Sequence, residues 1–343
     1  MAEQSYNVHG PVTGGAVVFG NGNVVQGTLA QPGPAGPMRG PVIGIVTALP
    51  EEFAAVRTLL DDERGPDTKD GDPALYLLAT LPSRDGDRPH EVVLTLLGDT
   101  GNAAAAEACA RLTTSFPTVD IVIMCGTACG VPNLGQPERH VRLGDIVVAT
   151  WGIADYDHVV ERDDGRWPRQ PFPRPSPLLV RLARYLAAVE ISGERPWEKW
   201  ITAAVEVLPA YARPASDQMS AEDSCASPDL TGHRPMPTVH HGLIGSADRS
   251  LRSAAVRDAL AEAEGLIAFE MEGKGIGSAA FAGGLEWFVV RGISDHGDAQ
   301  TSLRWRGHAS VVAAAYVKAL LGECPPLSVR GGHTQATGGS GGD

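Results

Sequence analysis

Val42-Ile-Gly-Ile-Val-Thr-Ala-Leu-Pro-Glu-Glu-Phe53 turns abruptly from an apolar run into a pair of acids behind a proline. Residues 42–48, bounded by Pro41 and Pro50, read as a buried strand. Residues 51–60 continue with apolar positions at helical spacing, so the strand feeds a helix. Outward from this unit the pattern recurs. Short apolar runs at 92–97, 121–125 and 146–149 predict further strands, with an alanine-rich helix over 103–112. A later set of strands is expected at 243–246, 265–269 and 287–293, separated by helices near 253–264 and 273–282, with a last helix over 308–321. Such alternation specifies an α/β fold around a mostly parallel sheet, whose active residues gather at the strand ends.

Composition bounds the rest. The 343 residues carry 41 acidic and 28 basic side chains, a formal charge of -13 that would repel a long phosphate backbone; nucleic acid is not an expected partner. No apolar run approaches the roughly 20 residues of a membrane span, and the N-terminus lacks the basic and apolar regions of a signal peptide, so a cytoplasmic location without membrane contact is expected. The five cysteines, Cys109, Cys125, Cys129, Cys225 and Cys324, lack zinc-site or disulfide-scaffold spacing and read as free thiols.

Three segments stand apart from this frame. Residues 1–40 form an appendage in which glycine alternates with valine pairs before Gln31-Pro-Gly-Pro-Ala-Gly-Pro37. It reads either as a flexible leader or as a small β element that docks on a protein partner, and it resembles short segments attached to actinobacterial signalling or defence proteins. Residues 208–241, proline-rich among serines and aspartates, read as a surface insertion, either a substrate-selecting loop or an inert excursion. Residues 323–343 form a tail expected to be disordered.

Polar groups placed where strands end are the candidates for chemistry. Glu51 and Glu52 open a helix, where acids also stabilise the helix N-terminus without any catalysis. Cys125-Gly-Thr-Ala-Cys-Gly130 offers small residues that let the backbone approach a flat ligand, or merely a tight strand-to-helix turn; Cys129 has no base beside it in sequence and is not read as a nucleophile. Phe269-Glu-Met-Glu272 and Val290-Arg-Gly-Ile-Ser-Asp-His-Gly-Asp298 concentrate acids around one arginine, which suits either a structural ion-pair network or a clamp for a sugar and a base.

Taken in order with Leu143-Gly-Asp-Ile-Val147, these motifs resemble the nucleoside phosphorylase and nucleosidase superfamily, and most of all the methylthioadenosine/S-adenosylhomocysteine nucleosidases, over about residues 41–322. The resemblance implies a three-layer α/β/α fold with a central, mostly parallel mixed sheet, and hydrolysis of the N-glycosidic bond of an adenosine-type nucleoside carrying a 5′ substituent. It matches Glu52 to the water-activating base, Asp295 to the acid that protonates purine N7, Met271 to the residue under the ribose, and Glu272 to the acid on its vicinal hydroxyls. Ser294 and Arg291 support these acids, Thr127 and Ala128 fall on the wall near sugar and base, Phe269 stacks or fills core, and Glu270 acts on the substrate or behind it. No cofactor or metal is implied; the partners are a purine nucleoside or nucleotide and water, with a homo-oligomer expected.

Several alternatives remain open at this stage. Thr47-Ala-Leu-Pro-Glu-Glu52 and Gly98-Asp-Thr-Gly-Asn102 offer acids rather than cations to a phosphate acceptor, which favours hydrolysis over phosphorolysis. The basic candidates Arg249, Arg304, Arg306, His158, His240, His241, His296 and His308 admit an AMP or ATP nucleosidase acting as a defence effector. Trp151, Tyr156, Asp157 and His158 are read as one side of the base pocket or a subunit contact. A non-catalytic nucleotide-binding module would need neither Glu52 nor Asp295 for turnover.

Overall fold

The computed structural model describes residues 18–19, 23–24, 40–133, 135–163, 165–168, 172–214, 237–299 and 303–328. The chain divides into two compact units at Met38/Arg39. In the first, β1 (Val18–Phe19) and β2 (Asn23–Val24) form a short antiparallel pair; the rest of the 1–40 appendage, apart from Gly40, lies outside the described residues. Most of the 208–241 insertion, Cys225 and residues 329–343 also lie outside them.

The second unit is built on β3 (Ile43–Thr47), β4 (Asp61–Lys69), β5 (Asp72–Leu81), β6 (His90–Leu96), β7 (Ile121–Gly130), β8 (Ile146–Asp155), β11 (Val239–Ser246), β12 (Leu266–Glu270) and β13 (Glu286–Asp295). These nine strands run in the order β12-β11-β8-β13-β7-β3-β6-β5-β4; β9 (Val159–Arg162) and β10 (Gly165–Pro168) form a separate hairpin. Pairing is parallel from β6 through β3 and β7 to β13 and again among β8, β11 and β12, and antiparallel at β13/β8 and in the β4–β5–β6 meander. β12 also pairs antiparallel with the far end of β7, Phe269 opposite Cys129, so this half of the sheet curls closed and brings the ends of β7, β12 and β13 together.

Alternation along the strands sorts side chains into two cores. Ile43, Ile45, Ile123, Val148, Phe288 and Val290 face α1 (Pro50–Thr58), α3 (Pro177–Ile191), α4 (Glu198–Val207) and the last helix, here α7 (Arg306–Gly322). Val46, Val122, Met124, Val147, Trp287 and Val289 face α2 (Asn102–Ser115) and α6 (Gly273–Ala282), while α5 (Ala254–Glu264) covers β12. The result is the three-layer α/β/α architecture. α7 is apolar on all sides and buried from His308 to Leu321, as an enclosed helix must be. Its Lys318 is tolerated because Nζ donates to Leu59 O (2.7 Å) and Asp61 Oδ2 (2.9 Å). Gly292 of β13 lets α7 approach to the backbone: a Cβ there would lie 1.9 Å from Ala309 O. This contact brings the start of α7 to the end of β13.

Several expectations shift. β7 runs on to Gly130, so Cys125-Gly-Thr-Ala-Cys-Gly130 lies inside a strand and is not a strand-to-helix turn; pairing with β13 and β12 carries it past the apolar run. β8 likewise extends to Asp155. Of the range read as an insertion, Val239, His240 and His241 belong to β11 and pair with β8. No helix among the described residues is long and apolar enough to cross a membrane.

Candidate active site

Glu52 reaches the cleft through local geometry. As the third residue of α1 it folds back so that Oε2 accepts from the backbone N–H groups of Ala48 (2.9 Å) and Leu49 (3.1 Å), satisfying donors at the helix start. Oε1 accepts from Thr127 N (2.7 Å) and the Thr127 hydroxyl (3.0 Å), which ties α1 to β7. These four donors fill the usual acceptor positions of the carboxylate.

β12 and β13 supply the rest. Glu270 Oε2 accepts from Glu272 N (2.9 Å) and Gly273 N (2.7 Å) at the positive start of α6 and also pairs with the Arg291 guanidinium. Arg291 Nη2 lies 3.0 Å from Glu272 Oε2, while Gly101 N donates to Glu272 Oε1 at 3.1 Å. Arg291 is fully buried, and burial opposes its charge; Glu270, Glu272 and Glu52 outweigh that and hold the guanidinium protonated. Glu272 experiences the converse: burial, with the charges of Glu270 and Glu52, overrides Arg291 and pushes its carboxyl up to about 7. Asp295 ends β13 half-buried, with Oδ2 accepting from the Ser294 hydroxyl (2.9 Å) and Oδ1 from Gly297 N (2.8 Å).

Gly126 of β7 makes room for this network. A Cβ on Gly126 would stand 2.4 Å from Arg291 Nη1 and 2.7 Å from Glu52 Oε1, so the backbone there yields to two side chains. Thr127 and Ala128 line the cleft, whereas Gly126 is not among its lining residues.

Glu52, Thr127, Ala128, Phe269, Glu270, Met271, Glu272, Ser294 and Asp295 line one cleft, and Arg291 lies beneath it. Ala48, Leu49, Thr100, Cys129, Arg249, Ser250, Leu251 and Arg306 complete the wall. Burial raises the thiol pKa of Cys129, which keeps it protonated and a poor nucleophile. Leu49 and Thr100 carried no distinguishing signal in sequence, because they reach the cleft only through the packing of α1 and the loop before α2. Of the basic candidates, Arg249 and Arg306 reach the cleft. His240 instead meets Asp145 Oδ2 (2.9 Å), His296 contacts Val141 O (3.2 Å), and His308 contacts Tyr211 O (3.3 Å). Asp145, in the motif at 143–147, thereby joins the start of β8 to β11 outside the cleft. Trp151 is 73% exposed in a separate groove, whereas Tyr156 packs edge-on against Phe269 at 5.4 Å, behind the cleft wall. Among the described residues, no group of three or more His, Cys, Asp or Glu side chains is placed to hold a metal ion.

A family model described as the phosphorylase superfamily matches residues 42–322. The chain belongs to that superfamily. The match spans every element of the closed sheet and every residue of the cleft described above. Among solved structures of this fold, the chain is similar to the 5′-methylthioadenosine/S-adenosylhomocysteine nucleosidase of Neisseria meningitidis: 19% identity, 82% of this chain and 98% of that one, TM-score 0.56. It is similar also to the S-adenosylhomocysteine nucleosidase of Streptococcus pyogenes (20% identity, 84% and 98% covered, TM-score 0.58). The futalosine hydrolase of Helicobacter pylori shares the fold at 17% identity, with 81% and 96% covered and a TM-score of 0.55. A curated relative, a nucleotide-binding leucine-rich repeat (NLR)-like protein of Hyaloscypha variabilis, is 28% identical over 317 residues; the match covers 84% of this chain and 30% of that protein's length.

Proposed function

We propose that this superfamily member hydrolyses the N-glycosidic bond of an adenosine-type nucleoside with a 5′ substituent, releasing adenine. The observation that carries the reading is that three carboxylates from three different elements, Glu52 of α1, Glu272 before α6 and Asp295 of β13, open on one cleft. The solved relatives named for nucleosidase activity supply the substrate class.

Asp295, in its protonated form, donates to purine N7 as the glycosidic bond breaks and the bonding electrons pass to the base. The Ser294 hydroxyl and Gly297 N–H hold that carboxyl in a fixed orientation for the transfer. The ribose acquires oxocarbenium character and is attacked at the anomeric carbon by water, whose proton goes to Glu52. Since four donors already occupy Glu52, the water takes the place of the rotatable Thr127 hydroxyl on Oε1. Glu272 accepts from the vicinal ribose hydroxyls with Met271 packed beneath the ring, so that bond and water are aligned.

Water is favoured over phosphate as acceptor by the start of α2. That positive helix end already faces two of the protein's own carboxylates: Gly101 N donates to Glu272 (3.1 Å) and Asn102 N to Asp248 (2.7 Å). The test is chromatographic detection of adenine from methylthioadenosine, S-adenosylhomocysteine, adenosine, AMP and ATP, with and without phosphate. Release without phosphate supports hydrolysis. Release only with phosphate makes the protein a phosphorylase, and silence on every substrate makes it a binding module.

A further inference from the structure

The geometry points to Arg306 as the residue that selects an anionic, phosphate-bearing 5′ substituent, so that the substrate is an adenine nucleotide; this rests on the nucleosidase reading above. A nucleoside placed in the cleft has three ends to house. The base lies by Asp295, on the side walled by Ala128, Cys129, Leu251 and Phe269, where Leu251 and Cys129 both approach Gly297. The vicinal hydroxyls lie on Glu272 above Met271. The 5′ carbon is assigned to the stretch around Leu49 and Arg306, where Arg306 at the start of α7 meets Glu51 at the start of α1.

The chemistry of that end differs from the rest of the cleft. Each carboxylate of the floor is already held: Glu52 by four donors, Glu270 and Glu272 by Arg291 and backbone amides, Asp295 by Ser294 and Gly297. Arg306 is held differently. It keeps 30% of its side chain exposed, and among the described residues its Nη1 meets only Glu51, at 3.5 Å, with Glu51 itself 37% exposed. A thioether would gain nothing from this guanidinium and would bury part of it against an apolar group. A phosphate oxygen would accept from its fork, a charge-assisted pair that a thioether cannot make. Arg249, the other cleft arginine, is engaged elsewhere: it pairs with Asp157 (2.8 Å) and lies 5.1 Å from the centre of the Tyr156 ring, on the base side.

The experiment compares kcat/KM for AMP and for adenosine in wild type, Arg306→Leu and Arg306→Lys, in phosphate-free buffer. Wild type is expected to favour AMP, and the AMP-to-adenosine ratio to fall about ten- to hundred-fold in Arg306→Leu. Arg306→Lys, which keeps the charge but loses the fork, should retain part of the preference. An unchanged ratio in Arg306→Leu, or a wild type that prefers methylthioadenosine to AMP, overturns the inference while leaving the nucleosidase reading intact. If no substrate yields adenine, that reading fails, and calorimetric titration of AMP and adenosine then decides the inference separately. Tighter AMP binding that is lost in Arg306→Leu supports it; equal affinities overturn it.

Discussion

On the floor of the cleft Arg291 is fully buried and its guanidinium contacts two carboxylates, whereas at the rim Arg306 keeps 30% of its side chain exposed and meets one acid at 3.5 Å. The two arginines face acids of the same kind, yet one pair is withdrawn from solvent and the other is shared with it. A buried charge must be compensated or the fold suffers, so on the floor Arg291 is tied to Glu270 and Glu272, and these in turn to backbone amides. An exposed pair contributes little to folding, which leaves the rim side chain available to a ligand. The contrast separates what holds the cleft in shape from what stays open to solvent and ligands.

The largest expected effect tests whether the floor does chemistry. Asp295→Asn should lower kcat/KM for adenine release by about a hundred- to ten-thousand-fold, the usual contribution of a positioned general acid, with little change in urea midpoint. A loss below tenfold would remove Asp295 from the acid role. Next, Arg291→Met should cost on the order of 3–5 kcal/mol of folding free energy, because three acids then share a buried space without their cation; chemical denaturation measures it. A near-neutral result would mean that the floor collapses around the vacancy as an apolar core does.

Glu272 gives an intermediate effect with a defined pH window. Its carboxyl sits at about 7 in the folded protein, above the ordinary carboxylate value, so the unfolded chain ionises first as pH rises. The stability that the neutral form contributes is complete below about 4.5 and is lost through about 7. Glu272→Gln should therefore gain stability relative to wild type between pH 5 and pH 8, by up to about 3 kcal/mol, while losing ribose binding. Parallel pH profiles of the two unfolding curves would disprove the shift. The smallest effect belongs to the exposed rim: Arg249→Ala, which breaks its pair with Asp157, should change stability by less than about 1 kcal/mol, and a larger loss would place that arginine with the floor.

Much of the frame was legible in the sequence because its strands are continuous apolar runs. The helix expected at 273–282 matches α6, Gly273–Ala282, and the strand expected at 287–293 lies within β13, Glu286–Asp295. β4 was not legible: Asp61–Lys69 exposes nearly every side chain, and nothing but its pairing with β5 makes it a strand. α3 and α4 have no counterpart in the expected frame, although Ser176 before Pro177 is a clear helix start, its hydroxyl accepting from Leu179 N at 3.2 Å. The ten candidate residues are legible in motifs; how they meet is not, since Glu52 and Thr127 are 75 positions apart and touch only because β3 and β7 are neighbours in the sheet.

The sequence by itself determined the alternation of strands and helices, the placing of acids just beyond apolar runs, and the superfamily, because local periodicity and ordered motifs are properties of the chain. Only the tertiary structure decided that Gly126 yields to Arg291 and Glu52, that Glu272 is driven toward neutrality, and that Arg249 and Arg306 rather than any described histidine stand at the cleft. Desolvation and close approach are set by what surrounds a group in space, and those neighbours come from distant parts of the chain.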